Sequence, residues 1–331
     1  MAVDTKRFDD GVPSLWLEPL ALAALLALVV CVVCKLYSRL TVGVCTSTKS
    51  MKGKTVIITG ANAGIGKETA RELAKRDARV IIACRNLQKA SEAAKQIEAE
   101  TGKQIFIRKL DLCSLKSVKD FAEEIIREEE RVDVLINNAG IVPFPERVET
   151  VDGFEQTFQT NHLAPFLLTN LLLNKMKETP SSRIITLSSS LHHFGRIDPD
   201  HLDYSAYKVP MQVYSDTKLA NILFTRELAR RLRGTGVTAN VCHPGAVQTD
   251  INSTYVGFLN FCLNCLFFFF GKTPLEGAQT SLHLSVSEEV DGISGEYWKD
   301  CRVAKGSAAS RDMKLATKLW NQSEKLTGLA I

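Results

Sequence analysis

The chain has 331 residues, with 41 Lys and Arg against 37 Asp and Glu, a formal charge of +4, and 45% apolar residues. So mild a charge gives no argument for a nucleic-acid partner, and the apolar content excludes a disordered chain and allows a sizeable core. Nine Cys, an odd number lacking the paired spacing of a disulfide framework or zinc site, fit a reducing compartment and imply no metal.

Residues 1–18 form a short, acid-leaning segment, with Asp4, Asp9, Asp10 and Glu18 against Lys6 and Arg7. From Pro19 to Cys34 no charge interrupts a run rich in Leu, Ala and Val. Its 16 residues rise about 24 Å, short of a ~30 Å hydrocarbon core, but Leu36 and Tyr37 extend it while Glu18 and Lys35 can snorkel. Residues 19–37 are therefore expected to be a transmembrane anchor; no small-x-small cleavage site follows, which argues against a signal peptide. Residues 38–52 read as a basic linker carrying Arg39, Lys49 and Lys52, and this excess places the following domain in the cytosol.

Lys54 to Thr59 is a short β-branched run. Gly60-Ala61-Asn62-Ala63-Gly64-Ile65-Gly66 follows, then an amphipathic segment to Arg76: strand, tight glycine turn, helix. Glycine lets the backbone approach a pyrophosphate closely, and the helix start offers free N–H groups to its oxygens. Strand patterns at 79–83, 104–109 and 132–136 alternate with helical ones at 87–101 and 115–129. The fold class is α/β, a single Rossmann-type doubly wound parallel sheet over residues 53–310. At the end of the second strand, where an acid would hold the ribose 2′-hydroxyl of NAD, Cys84 is followed by Arg85, which suits the 2′-phosphate of NADP(H).

Ile184 to Leu187 reads as the fifth strand, with Ser188, Ser189 and Ser190 after it. Further on, Tyr214 and Lys218 stand four residues apart on one helix face, so an ammonium can lie near a phenol. Moving a phenol from ~10 to ~7 takes about 4 kcal/mol, roughly what a unit charge at ~4 Å supplies at an effective dielectric of ~20. Residues 250–272 turn strongly apolar, with Tyr255, Phe258, Phe261 and the run Phe267 to Phe270. A membrane-dipping substrate lid, a core or subunit-contact helix, and a second span are the alternatives. Residues 311–331 suggest a closing helix.

The glycine turn, Asn137-Asn138-Ala139-Gly140 and Tyr214-x-x-x-Lys218 occur in the order found in short-chain dehydrogenases/reductases, and Met51 to Glu296 resembles that family. More narrowly, Gly43-Val-Cys-Thr-Ser-Thr, His192-His-Phe-Gly-Arg-Ile and Lys218-Leu-Ala-Asn-Ile-Leu-Phe-Thr look like the membrane-anchored, NADPH-preferring retinol dehydrogenases that act as retinal reductases. The resemblance implies that residues 60–66 hold the pyrophosphate, Arg85 the 2′-phosphate, Asp111 and Leu112 the adenine, and residues 137–140 the cofactor-side wall. It gives Tyr214 proton transfer, Lys218 the nicotinamide ribose, Asn161 a water-linked relay to Lys218, and Pro244, Gly245 and Thr249 the nicotinamide end. Matching the strand end selects Ser189 as the substrate-orienting serine, with Ser188 and Ser190 as alternatives. What is implied is a single-pass enzyme of the endoplasmic reticulum membrane that uses NADP(H) to interconvert retinal and retinol, favouring all-trans-retinal reduction. Its substrate is a hydrophobic small molecule, lipid aldehydes being a second class, and a homodimer is left open. A steroid or other lipid carbonyl reductase, or a non-catalytic membrane-tethered nucleotide-binding scaffold, is the alternative.

Overall fold

In a computed structural model of the chain, residues 41–202, 204, 209–247 and 271–329 are described, together with nine helical positions between Leu22 and Leu36. The strands are β1 Thr55–Thr59, β2 Arg79–Cys84, β3 Ile105–Lys109, β4 Val134–Asn137, β5 Arg183–Leu187, β6 Thr238–His243, β7 Tyr297–Lys299 and β8 Arg302–Val303. They form one sheet in the order β3-β2-β1-β4-β5-β6-β7-β8, parallel throughout except for the last pair. β1, β4 and β5 are buried along their whole length, which is why they read as continuous apolar or β-branched runs rather than as an alternation.

The principal helices are α1 Gly64–Ala74, α2 Leu87–Thr101, α3 Leu115–Glu128, α4 Ala164–Glu178, α5 Pro210–Arg231, α6 Pro274–Val286 and α7 Met313–Thr327. Local signals set their ends. Asn86 accepts from Lys89 N at 3.0 Å to cap α2, and Gly102 closes it at φ 66°. Thr273 and Glu276 form a reciprocal capping box at α6. Apolar side chains of α1 and α6 pack on one face of the sheet, and those of α3, α4 and α5 on the other. Because β1 lies between β2 and β4, the chain direction across the sheet reverses there, and a crevice opens beyond the carboxyl ends of these strands.

The closing helix lies on α4 and α5. The Trp320 ring meets Phe166 edge-on at 4.9 Å, stacks on Phe224 at 5.8 Å, and carries the Arg231 guanidinium 4.3 Å from its centroid. Truncating this buried aromatic removes the contacts of three neighbours at once. Trp320→Ala is therefore expected to lower stability by about 3–5 kcal/mol, read as an earlier midpoint in denaturant unfolding. A midpoint within error of the parent would show that α7 is not part of the cooperative core.

Residues 41–52, expected as a linker, lie against the domain instead. Cys45 N donates to Gln279 Oε1 at 3.0 Å, the Ser47 hydroxyl donates to Glu288 at 3.0 Å, and Met51 N donates to the Arg76 carbonyl at 2.6 Å. The buried Cys45 and Met51 fix the strap, and they are too few to register beside its lysines. The expected anchor, 19–37, falls mostly outside the described residues; Leu22, Leu25, Val29 and Val33 within it are helical and exposed. Among the described residues no helix is long and apolar enough to cross a membrane. The expected lid, 250–272, lies outside the described residues except for Gly271 and Lys272, and Thr249 lies outside them too. The β7–β8 hairpin was not anticipated. Its strands are only three and two residues long, and Asp300 and Cys301 turn at φ 51° and 58° without a glycine to announce it.

Candidate active site

The crevice at the carboxyl ends of β1, β2 and β4 is a cavity of about 560 Å³. A larger one, about 850 Å³, lies at the opposite, amino end of the sheet between Lys54, Arg183 and Arg233, away from Tyr214, Lys218 and the glycine turn. Of the residues expected to hold a cofactor, Gly60, Asn62, Ala63, Gly64, Ile65, Gly66, Arg85, Asp111, Leu112, Asn138, Ala139, Gly140, Tyr214, Lys218 and Pro244 line the smaller cavity. Three others lie behind its wall. Ala61 is fully buried; Asn137 donates to Thr169 Oγ1 at 2.9 Å inside the core; Gly245 turns at φ 94° against the Lys272 side chain.

The glycine turn fits a dinucleotide. Gly60 and Gly64 adopt φ 66° and 56°, and a Cβ on Gly66 would come within 2.8 Å of the Gly60 carbonyl oxygen. The first turn of α1 has no side-chain cap at Ala63, so its N–H groups face the cavity ready for phosphate oxygens. Asn138 and Thr59 brace the turn: Asn138 Nδ2 donates to the Thr59 carbonyl at 2.8 Å, and Thr59 Oγ1 accepts from Ala139 N at 3.0 Å. At the far end, buried Cys84 occupies the place where an acid would stand. Its thiol is pushed up to about 11 by burial, against the pull of the N–H groups of Ala61, Asn62 and Gly60, and stays neutral. Beside it Arg85 is exposed at the cavity rim together with Lys89, a residue sequence reasoning missed although it follows Arg85 at helical spacing.

At the other end α5 presents Tyr214 and Lys218 toward the end of β5. The Lys218 ammonium lies 5.3 Å from the Tyr214 ring centroid, 3.5 Å from the Leu187 carbonyl, and close enough to Gly140 that a Cβ there would sit 3.3 Å away. Burial brings Lys218 down to about 8, with the neighbouring Cys242 opposing weakly. The expectation that this ammonium brings the phenol near 7 is not met. Burial pushes Tyr214 up to about 12, and the partner that lowers it is the Ser189 hydroxyl, within hydrogen-bonding reach. Lys218 lies over the ring, 5.3 Å from its centroid, and burial outweighs its pull.

The three serines after β5 have different surroundings. Ser188 donates its hydroxyl to the Lys218 carbonyl at 2.7 Å, and Ser190 is exposed. Only Ser189 meets the phenol. Its carbonyl takes the Nδ1 proton of buried His192 at 2.6 Å, while His192 Nε2 accepts from Ser307 N at 3.1 Å; these two partners assign the tautomer. His192 thus ties the serine's backbone to the segment before α7, a role invisible in sequence because Ser307 is 115 residues away. Asn161 lies in a π turn, Gln159–Leu163, rather than in regular α-helix. Its side chain grips Ile141, accepting from N at 2.8 Å and donating to O at 2.9 Å, and donates to Thr217 Oγ1 at 3.2 Å.

The family model described as short chain dehydrogenase matches residues 54–257. Retinol dehydrogenase 11 of Homo sapiens is 49% identical over 292 residues, covering 87% of this chain and 90% of that protein. Retinol dehydrogenase 14 of Homo sapiens is 48% identical over 295 residues, covering 84% and 88% respectively. Among solved structures, an uncharacterized protein from Mycobacterium Paratuberculosis superposes with a TM-score of 0.71 at 36% identity, covering 86% of this chain and 98% of that one.

Proposed function

The chain belongs to the short chain dehydrogenase family, within its retinol dehydrogenase branch, and on that premise we propose that it is an NADP(H)-dependent reductase of all-trans-retinal anchored in the endoplasmic reticulum membrane. The observation that carries the reading is the pairing of a cationic rim, Arg85 and Lys89, at one end of the cavity with Tyr214 and Lys218 at the other, the Ser189 hydroxyl reaching the phenol from behind the Ser188 lining. The retinoid substrate rests on similarity to proteins named retinol dehydrogenases. The anchor and its cytosolic orientation rest on the apolar run 19–37 and the lysines after it.

Gly140 and Pro244, which line the cavity, would border the nicotinamide of a bound cofactor, whose chemistry would be hydride transfer to a carbonyl carbon. The protein handles the proton. Tyr214, protonated through the neutral range, donates to the oxygen as it gains negative charge, and the Ser189 hydroxyl donates a second hydrogen bond to the same oxygen. Lys218 would stabilise the phenolate left behind and hold the ribose, while Asn161 holds the Gly140–Ile141 wall that Lys218 borders, and the family resemblance gives its carbonyl to the relay that returns the proton.

The sign of the pH dependence follows from Lys218. Its charged form exists below about 8, so carbonyl reduction is expected to hold steady through neutrality and decline above that value, with Tyr214 still protonated there. The assay is NADPH consumption against pH with all-trans-retinal, retinol being identified chromatographically. A rate that keeps rising at pH ~10 would remove Lys218 from the cationic role. Retinol formation tests the function itself; reduction of a steroid or a lipid aldehyde in its place would reassign the substrate.

A further inference from the structure

We propose that the carboxyl-end face of the sheet, on which the cavity opens, rests directly on the lipid bilayer, held there by the strap of residues 43–51 and by the β7–β8 hairpin. The proposal extends the reading of the chain as membrane-anchored. Its first support is where the strap begins. Gly43 packs so closely on the Asp300 carbonyl, in the β7–β8 turn, that any Cβ would collide with it. From there the chain passes Gln279 on α6 and Glu288 just beyond its end, and reaches Arg76 and Lys54 at the amino end of β1. Since β7 runs parallel to its neighbour β6, the Asp300 turn lies at the carboxyl end of the sheet. The apolar run is therefore joined to the domain beside the cavity. The seven residues from Leu36 to Gly43 reach at most about 25 Å, so this face cannot stand far from the membrane.

The second support is independent of the strap. Exposed large apolar side chains gather on segments at the carboxyl ends of the strands. Val44 and Val303 flank the Asp300 turn, Phe194 follows Ser189, Val209 precedes α5, Leu87 opens α2 and Leu275 opens α6. Phe144, Val148 and Val151 follow in the segment after β4, with Phe144 at the cavity itself; of the remaining exposed apolar side chains of the described domain, Met313 opens α7 and Ile126 stands near the close of α3, toward the amino end. Loops border both ends of a parallel sheet, so solvent alone would not sort apolar side chains to one of them. Lys299, Arg302 and Lys305, exposed around Val303, add the cationic rim that suits anionic headgroups beside an apolar tip. A substrate dissolved in lipid would then reach the cavity without crossing water.

The test uses the full chain in phosphatidylcholine–phosphatidylserine vesicles doped with a photoactivatable diazirine lipid, with labelled peptides located by mass spectrometry. Peptides holding Phe194 and Val303 are expected to carry at least roughly five-fold more label than those holding Ile126 and Arg233. Gly43→Val, which unseats the strap, should reduce that contrast; should this variant fail to fold, Phe194→Asp with Val303→Asp keeps the strap and should still lower labelling of the face. Equal labelling of both ends, or label concentrated at the amino end, would overturn the orientation. The readout needs no turnover. Failure of retinal reduction with intact face labelling would therefore sink the substrate reading alone, and retinol formation with even labelling would sink the orientation alone.

Discussion

Tyr214→Phe is expected to lower kcat for aldehyde reduction by about a thousand-fold while NADPH still binds. Among the described residues the phenol is the acid placed to donate, since Lys218 is turned toward the Leu187 carbonyl and the Ser189 hydroxyl stands against the phenol itself. Removing its oxygen leaves the ring, and thus the packing of α5, in place. Ser189→Ala should cost less, about a hundred-fold, because it deletes one hydrogen bond to the developing oxyanion and leaves the proton donor. Single-turnover reduction, with NADPH binding followed by fluorescence, separates the two effects. A Phe variant that retains a tenth of parental kcat would transfer the proton to another group, whereas one that no longer binds NADPH would show a structural role for the hydroxyl.

The first half of the fold was legible because its elements are long and strongly patterned. The helix expected at 87–101 spans the same residues in the structure, and the strands around it agree to within two residues, since buried parallel strands and amphipathic helices both leave wide periodic signals. The Tyr214 and Lys218 pair was legible for the same reason, being one turn apart on a single helix. Long-range contacts left no local trace. The π turn around Asn161 depends on how residues 156–178 pack, and nothing in Gln159–Leu163 distinguishes it from α-helix. His192 acquires its tautomer from Ser307, and the strap at 43–51 acquires its place from a handful of buried atoms on α6 and α1. Electrostatics failed where spacing was trusted as distance. Four residues on a helix permit a contact between ammonium and phenol, but the same packing that brings them together buries the phenol, and burial is the larger effect on it.

Arg85→Asp should reverse the cofactor preference. In the parent, two cations, Arg85 and Lys89, stand at the adenosine end of the cavity, and the position that would bear a ribose-binding acid is the neutral, buried Cys84 thiol. Each charge-assisted hydrogen bond to a phosphate contributes about 1.5–3 kcal/mol, so losing Arg85 alone costs NADPH roughly a hundred-fold in kcat/KM. The new carboxylate adds repulsion toward the 2′-phosphate and gains a hydroxyl partner in NADH, moving the two cofactors in opposite directions. Lys89→Ala should weaken NADPH by only about ten-fold, because a flexible ammonium makes a point contact where a guanidinium makes two bonds. Parallel steady-state kinetics with both cofactors decides the matter. If Arg85→Asp slowed NADPH and NADH turnover equally, the arginine would be a solvated loop charge, and the selectivity would have to reside in Lys89 or in the shape left by Cys84.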